Sequence, residues 1–287
     1  MPPGPSGGSE GRRPEQRWLA QCSARRAQKF GRRLPSPWRM RGILPLHHRG
    51  DLQIKTAGRL EMSLKGRRFL ITSGPTRAPL DAVRYITNKS SGRLGAYIAE
   101  EALQRGASVT FVYGRPSAVP VVRGGYRDHL YLIAIETVED LIRAFRQELP
   151  GGRYDAVIHL MAVLDFAPAQ ISQEKTTSDL EEWVVRLVPT PKAIKLVKEL
   201  APETFLVGFK LEVGKPIEEL VAIAYESLKR NHCDLVVAND LREIEAGRHT
   251  GYFVTPDGTV ARVVVGKEAI AKALLDYIEE KLAARHP

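Results

Sequence analysis

Gly74-Pro75-Thr76-Arg77-Ala78-Pro79-Leu80-Asp81-Ala82-Val83-Arg84-Tyr85-Ile86-Thr87-Asn88-Lys89-Ser90-Ser91-Gly92-Arg93-Leu94-Gly95 stands between a strand pattern and a helix pattern. Before it, Arg68-Phe69-Leu70-Ile71-Thr72 is a short apolar run of strand type. After it, apolar residues at 94, 98, 99, 102 and 103 mark one face of a helix that Gly106 closes. Val109 to Tyr113 then reads as a second strand. The stretch therefore occupies the strand-to-helix turn of a βαβ unit, the usual place for phosphate binding. Instead of a tight glycine-rich turn it is a long loop holding Arg77, Arg84, Asn88, Lys89 and Arg93. A loop of that length in a compact unit is more often functional than accidental. Ser90-Ser91-Gly92-Arg93 opens the helix. Free N–H groups, the positive dipole end and two hydroxyls make an anion site there, with plain helix capping as the competing reading.

Outward from this unit, strand and helix patterns alternate to the end of the chain. Leu130 to Ile135 reads as a buried strand, and Thr137 as N-cap of a helix from Val138 to Leu149. Asp155 to Val163 is a near-continuous apolar strand of the kind found in parallel sheets covered on both faces. Residues 168 to 182 are polar and aperiodic, and a strand resumes over Trp183–Val188. Thr190-Pro191 predicts a helix start, with the helix running to about Leu200. Phe205–Glu212 is a strand, Pro216 opens a helix to about Arg230, and Leu235–Ala238 is a strand ending at Asn239-Asp240. Pro256-Asp257-Gly258 joins Tyr252–Thr255 and Val260–Val265 as a hairpin, and a last helix covers Lys267 to about Ala284. The expected fold is α/β. It is a Rossmann-like, mostly parallel sheet with helices on both faces and an antiparallel excursion near the C-terminus.

The charge divides unevenly. Residues 1–61 hold 13 Lys and Arg against 4 Asp and Glu, whereas residues 62–287 hold 30 against 29, so the +10 lies almost wholly in the leader. A near-neutral body gives no electrostatic footprint for nucleic acid. The leader is rich in Arg, Pro and Gly and without apolar period, and reads as a disordered basic segment. Three readings of it stand: the true start is Met62, the leader is an organellar transit peptide, or it is a basic interaction arm. Residues 62–287 then form one domain, within the size range of a large α/β unit. Cys22 and Cys233 have no evident partners, which fits a reducing cytosol. No apolar run is long enough to span a bilayer.

Four strand endings outline a crevice on the carboxyl edge of the sheet: Thr72-Ser73-Gly74, Asp165-Phe166, Lys210-Leu211-Glu212 and Asn239-Asp240. Gly-x-Gly-x-x-Gly is absent after the first strand, which argues against an ordinary nicotinamide dehydrogenase. Lys175 lies in the aperiodic segment, as a phosphate-seeking lysine on a lid would, or as a solvated surface lysine. His159 reads as a core histidine, and His232-Cys233 lacks zinc-site spacing. No metal cage of protein ligands is encoded, and His47-His48 falls in the leader.

Taken together these segments resemble the phosphopantothenate–cysteine ligase family, also called phosphopantothenoylcysteine synthetase. The matching parts are Thr72–Arg77, Val83–Gly95, Ala162–Phe166, Lys175, Val207–Glu212 and Val237–Asp240, in order and at the right spacing. The resemblance implies a cytoplasmic homodimer that activates the carboxylate of 4′-phosphopantothenate with ATP or CTP and Mg²⁺. The amine of L-cysteine then displaces the nucleotide. It implies catalytic roles for Asn88, Arg84 and Lys175, and phosphopantothenate contacts from Arg77, Arg84, Asn88 and Arg93. It also implies nucleotide contacts from Gly74, Ser91, Gly92, Met161, Ala162, Asp165, Lys175, Phe209 and Lys210. Bacterial bifunctional relatives carry a Lys-Ile-Lys-Lys lid where this chain has Lys175-Thr176-Thr177-Ser178. They also place two lysines four apart where Ser227 and Asn231 stand. Gly208-Phe209-Lys210-Leu211-Glu212 resembles the eukaryotic form, so ATP and CTP both stay open. The flavin-dependent decarboxylase domain of bifunctional members does not align with any part of this chain, so a stand-alone ligase without flavin is expected. Two other readings are a nucleotide-dependent reductase on the same fold and a nucleic-acid-binding protein using the leader.

Overall fold

The computed structural model describes residues 63–122 and 125–285. The three readings of the leader, the Met62 start, Cys22 and His47-His48 lie outside the described residues. β1 (Arg68–Ser73) alternates Phe69 and Ile71 to one side with Leu70 to the other, and all three are fully buried. A strand covered on both faces needs parallel neighbours with crossover helices, and β1 has them. It pairs in parallel with β4 (Ser108–Gly114) on one side and β6 (Ala156–His159) on the other. The full order is β12-β11-β10-β9-β6-β1-β4-β5, with β5 Leu130–Ile135, β9 Phe205–Glu212, β10 Leu235–Asp240, β11 Thr250–Val254 and β12 Val260–Val265. The strands from β5 to β10 are parallel, while β11 and β12 run antiparallel, as the hairpin signal predicts.

Helices cover both faces. α1 (Arg93–Gln104) and α6 (Lys267–Arg285) pack into one apolar cluster with Phe69, Ile71 and Phe111. On the other face lie α2 (Val138–Glu148), α3 (Ala193–Leu200) and α4 (Ile217–Asn231), around Leu70, Val157 and Leu206. α2 starts with the expected Thr137 cap: the Thr137 hydroxyl accepts from the Asp140 N–H, and Asp140 reaches back to close a capping box.

α1 and α6 are joined through Arg105, whose side chain is 2% exposed. Its guanidinium pairs with Glu101 at 2.7 Å, Asp276 at 2.7 Å and Glu279 at 3.5 Å. Arg105→Ala strands three carboxylates around the gap. Because they keep partial water access, the expected loss is about 3 kcal/mol, the lower end for breaking a buried ion pair. A lowered urea midpoint at unchanged m-value checks it.

Several elements differ from expectation. The long loop after β1 contains an antiparallel pair, β2 (Arg77–Pro79) with β3 (Tyr85–Thr87). β5 is not buried: it is the sheet edge, with Tyr131 63% and Leu132 44% exposed. β6 stops at His159 instead of running to Val163, because the chain turns there to bridge Ala162 to Pro75 beyond the end of β1. Trp183–Arg186 forms no strand: of these four residues only Arg186 has a backbone partner among the described residues, accepting from the Ala169 N–H at 2.9 Å. Only β8 (Leu187–Pro189) forms one, against β7 (Phe166–Pro168). Thr190 does not cap α3, which begins after Lys192, since its hydroxyl donates to the Leu164 carbonyl. A short helix, α5 (Leu241–Glu245), follows β10 and was not expected. Asp240 caps it by accepting from the Arg242 N–H.

Candidate functional site

The six parallel strands follow the order β5-β4-β1-β6-β9-β10, so chain direction across the sheet reverses between β1 and β6. Ligands bind off the carboxyl ends of strands at such a switch point. The chain leaves both strands there and the two exits are tied together. The Ala162 N–H donates to the Gly74 carbonyl at 2.9 Å, and the Thr76 N–H donates to the Ala162 carbonyl at 3.2 Å. The Leu164 N–H donates to the Thr76 hydroxyl at 2.9 Å.

α1 begins beside this knot. Its N-cap, Gly92, is left-handed at φ 71°, and no side chain caps the helix. The two serines therefore do not perform the capping that competed with an anion site. Among the described residues nothing takes up the N–H groups of Arg93, Leu94 and Gly95. A positive dipole end with unpaired donors is what phosphate seeks. The helix approaches β1 closely because Gly95 has no side chain: a Cβ there would lie 2.2 Å from Ser73 Oγ. Ser73 Oγ in turn donates to the Gly92 carbonyl at 3.0 Å, and the Ala118 N–H donates to the Ser91 carbonyl at 2.9 Å. The Gly92-x-x-Gly95 spacing thus does the packing work of the missing dinucleotide fingerprint, one loop later.

Asn88 closes the knot from the hairpin side. Its Nδ2 donates to the carbonyls of Ala162 at 3.1 Å and Val163 at 3.2 Å. Two carbonyl neighbours fix which end of the amide is nitrogen, and leave Oδ1 free of them. Gly74, Ser91, Gly92, Arg93, Met161, Ala162 and Asn88 therefore meet at one edge, with Arg93 and Lys89 exposed and without side-chain partners among the described residues. Phe209 and Lys210 lie in β9 just past its pairing with β6, which ends where Gly208 stands in register with His159. Lys210 Nζ is 3.0 Å from Glu212. Asp165 is exposed and paired with Lys192 at the base of the β7–β8 arm.

The remaining expected residues lie on the β2–β3 and β7–β8 arms. Arg77 stacks on Tyr85 at 4.1 Å and lies 3.5 Å from Glu136, with its Nε buried and unpartnered. Arg84 is not free: it pairs with Asp81 at 3.1 Å, donates to the Thr176 carbonyl at 3.3 Å, and lies over the Trp183 ring at 5.0 Å. Lys175, next to Thr176, is exposed. Asp81 was missed in the sequence, although Asp at the head of a turn is the signal for it. Its side chain has no exposure, and its Oδ1 accepts from Val83 and Arg84 N–H groups at 2.9 and 2.8 Å. Burial pushes its carboxyl up, but the N–H groups of Val83, Thr176 and Arg84 and the Arg84 charge outweigh it and hold it below the usual value.

His159 is a core histidine, as the sequence indicates. Its Nδ1 is 2.8 Å from Thr72 Oγ1, Phe145 packs edge-on against it, and burial pulls its pKa down to about 4. The unfolded chain binds a proton there near pH 6.5 and the folded one does not. Stability should therefore fall from about pH 6.5 down to about pH 4, by roughly 3 kcal/mol from this residue. His159→Gln should make that part of the stability–pH curve shallower, with the remaining slope coming from His249, which burial and the Lys267 charge also pull down to about 4. Burial holds the Cys233 thiol up at about 12, so it is unreactive near neutrality. Among the described residues no three His, Cys, Asp or Glu side chains gather as a metal cage, and no helix is long and apolar enough to cross a membrane.

Known proteins resemble the chain in sequence and in fold. The profile of the DNA/pantothenate metabolism flavoprotein C-terminal domain matches residues 64–282. The coenzyme A biosynthesis bifunctional protein CoaBC of Thermococcus kodakarensis is 41% identical over 220 residues, covering 77% of this chain and 53% of that protein. The solved DNA/pantothenate metabolism flavoprotein from Streptococcus pneumoniae has a TM-score of 0.68 at 33% identity, covering 75% of this chain and 99% of that one. The solved C-terminal domain of a CoaBC protein has a TM-score of 0.61 at 30% identity, covering 77% of this chain and 98% of that one. The chain spans about half the length of the curated relatives it matches.

Proposed function

The chain belongs to the DNA/pantothenate metabolism flavoprotein C-terminal domain family, and on that premise we propose that it ligates 4′-phosphopantothenate to L-cysteine, giving 4′-phosphopantothenoylcysteine for coenzyme A biosynthesis. A carboxylate is a poor acyl donor until it carries a leaving group. In the first step its oxygen attacks the α-phosphorus of ATP or CTP and pyrophosphate leaves. In the second step the cysteine amine attacks the acyl carbon, and the nucleoside monophosphate leaves with its new oxygen. No flavin takes part.

One observation carries this reading. The uncapped start of α1, the Gly74–Ala162 knot and the Asn88 amide converge at the switch point of the sheet. Two anionic substrates can meet there only if their repulsion is offset, and free N–H donors with Arg93 and Lys89 on the rim supply that. Asn88 is assigned to the second step, where exchanging one carbonyl partner for the reacting oxygen gives the tetrahedral intermediate a neutral donor. Lys175 is assigned to the triphosphate. Mg²⁺ would come in on the phosphates, since among the described residues no three His, Cys, Asp or Glu side chains gather as a cage, and Asp165 would share it by giving up its pairing with Lys192. Bound there, the ion neutralises phosphate charge.

The arms β2–β3 and β7–β8 expose Val83, Tyr85, Phe166, Ile171, Trp183, Val184 and Leu187. Such a surface is a self-association face, and a second copy of this chain is the proposed occupant. The buried free thiol of Cys233 suits a reducing cytoplasm. The mechanism is tested by labelling the substrate carboxylate with ¹⁸O. Attack at the α-phosphorus leaves one label in the nucleoside monophosphate, whereas label in inorganic phosphate would mean an acyl phosphate and refute the proposed intermediate.

A further inference from the structure

The arm that ends in Asn88 also holds the lid. Asp81 Oδ1 is used up by the turn of its own hairpin, while Oδ2 accepts from Arg84 Nη1 at 3.1 Å and from the Thr176 N–H at 3.1 Å. Arg84 Nη2 then donates to the carbonyl of the same Thr176 at 3.3 Å. The pair thus grips both backbone polar groups of one lid residue, carboxylate on the N–H and guanidinium on the C=O. Trp183, further along the lid, lies over the same guanidinium. The gripped N–H belongs to the Lys175–Thr176 peptide bond.

We infer that Asp81 is a positioning residue for the lid: with Arg84 it latches Thr176 and so fixes where Lys175 stands relative to the hairpin that carries Asn88. Its consequence for catalysis rests on the ligase reading above, but the latch itself does not. The carboxylate is suited to this because one oxygen serves the turn and the other serves the lid. Asp81→Asn separates the two. An amide oxygen still accepts from Val83 and Arg84 N–H groups, whereas its NH₂ now faces two donors and releases the lid.

Trypsin reads the latch directly, since it cuts the Lys175–Thr176 bond and must pull Thr176 free. With no substrate present, Asp81→Asn should be cut after Lys175 about tenfold faster than the parent, the factor expected for one charge-assisted hydrogen bond. The thermal midpoint should fall, because a neutral amide cannot keep the charge-assisted bonds of a buried carboxylate, while cutting away from the lid should hold at temperatures where the variant is folded. Arg84→Gln, which keeps the turn of Asp81, should speed the same cut similarly, and the double variant should be no faster than either single one because both hold one residue. In half-reaction assays the triphosphate KM should rise about tenfold in Asp81→Asn, and isolated acyl-nucleotide should still react with cysteine at the parent rate. Unchanged cutting in both single variants, or fully additive acceleration, overturns the latch. Should the parent release no pyrophosphate, the ligase reading fails, and the cutting rates still decide the latch. If Asp81→Asn does not fold, Arg84→Gln carries the same test.

Discussion

Asn88→Asp should stop the reaction halfway. Product formation is expected to fall roughly 10²- to 10³-fold, the range for losing one oxyanion donor, while the acyl-nucleotide accumulates on the protein. The two carbonyls that now face an NH₂ group would face a carboxylate oxygen instead. The charge also opposes the negative oxygen that develops when cysteine attacks. The phosphate cradle should survive. Its own ties, Ser73 to Gly92 and Ala118 to Ser91, do not pass through Asn88, so the first step keeps its donors. Quenching the reaction and weighing the bound nucleotide species checks this. Full turnover in the variant would remove Asn88 from the second step.

Lys175→Ala should act on the other half. An exposed lysine on the connection between β7 and β8 costs nothing in packing when removed, so stability should be unchanged. Losing one cationic contact to the triphosphate should lower kcat/KM for the first step about 10- to 100-fold, the factor for a charged hydrogen bond. Isolated acyl-nucleotide should react with cysteine as before. In the parent, triphosphate with Mg²⁺ should protect the Lys175–Thr176 bond from trypsin. Normal first-step kinetics in the variant, together with unprotected cutting in the parent, would return Lys175 to the ordinary solvated lysines.

Much of the fold could be read in the chain because its determinants are local. Phe69, Leu70 and Ile71 announce a strand buried on both faces, and Thr137 with Asp140 announces a capped helix. The misreadings come from residues whose surroundings are set by distant partners. Leu130–Ile135 has the composition of a core strand, yet among the described residues nothing pairs beyond it, so half of it meets water. Thr190-Pro191 has the form of a helix start, yet the Thr190 hydroxyl is taken by Leu164, 26 residues away. The site divides in the same way. Gly92, Ser91 and Asn88 are close in sequence to the helix they serve. The grip of Asp81 and Arg84 on Thr176 spans more than 90 residues, and no local pattern marks it.

The most direct test is stoichiometry with the full chain, 4′-phosphopantothenate, L-cysteine, Mg²⁺ and either ATP or CTP. The proposed ligation predicts one pyrophosphate and one nucleoside monophosphate for each amide product found by mass, and none of the three when 4′-phosphopantothenate is left out. Absence of pyrophosphate with both triphosphates, or release of orthophosphate and nucleoside diphosphate in its place, would contradict it.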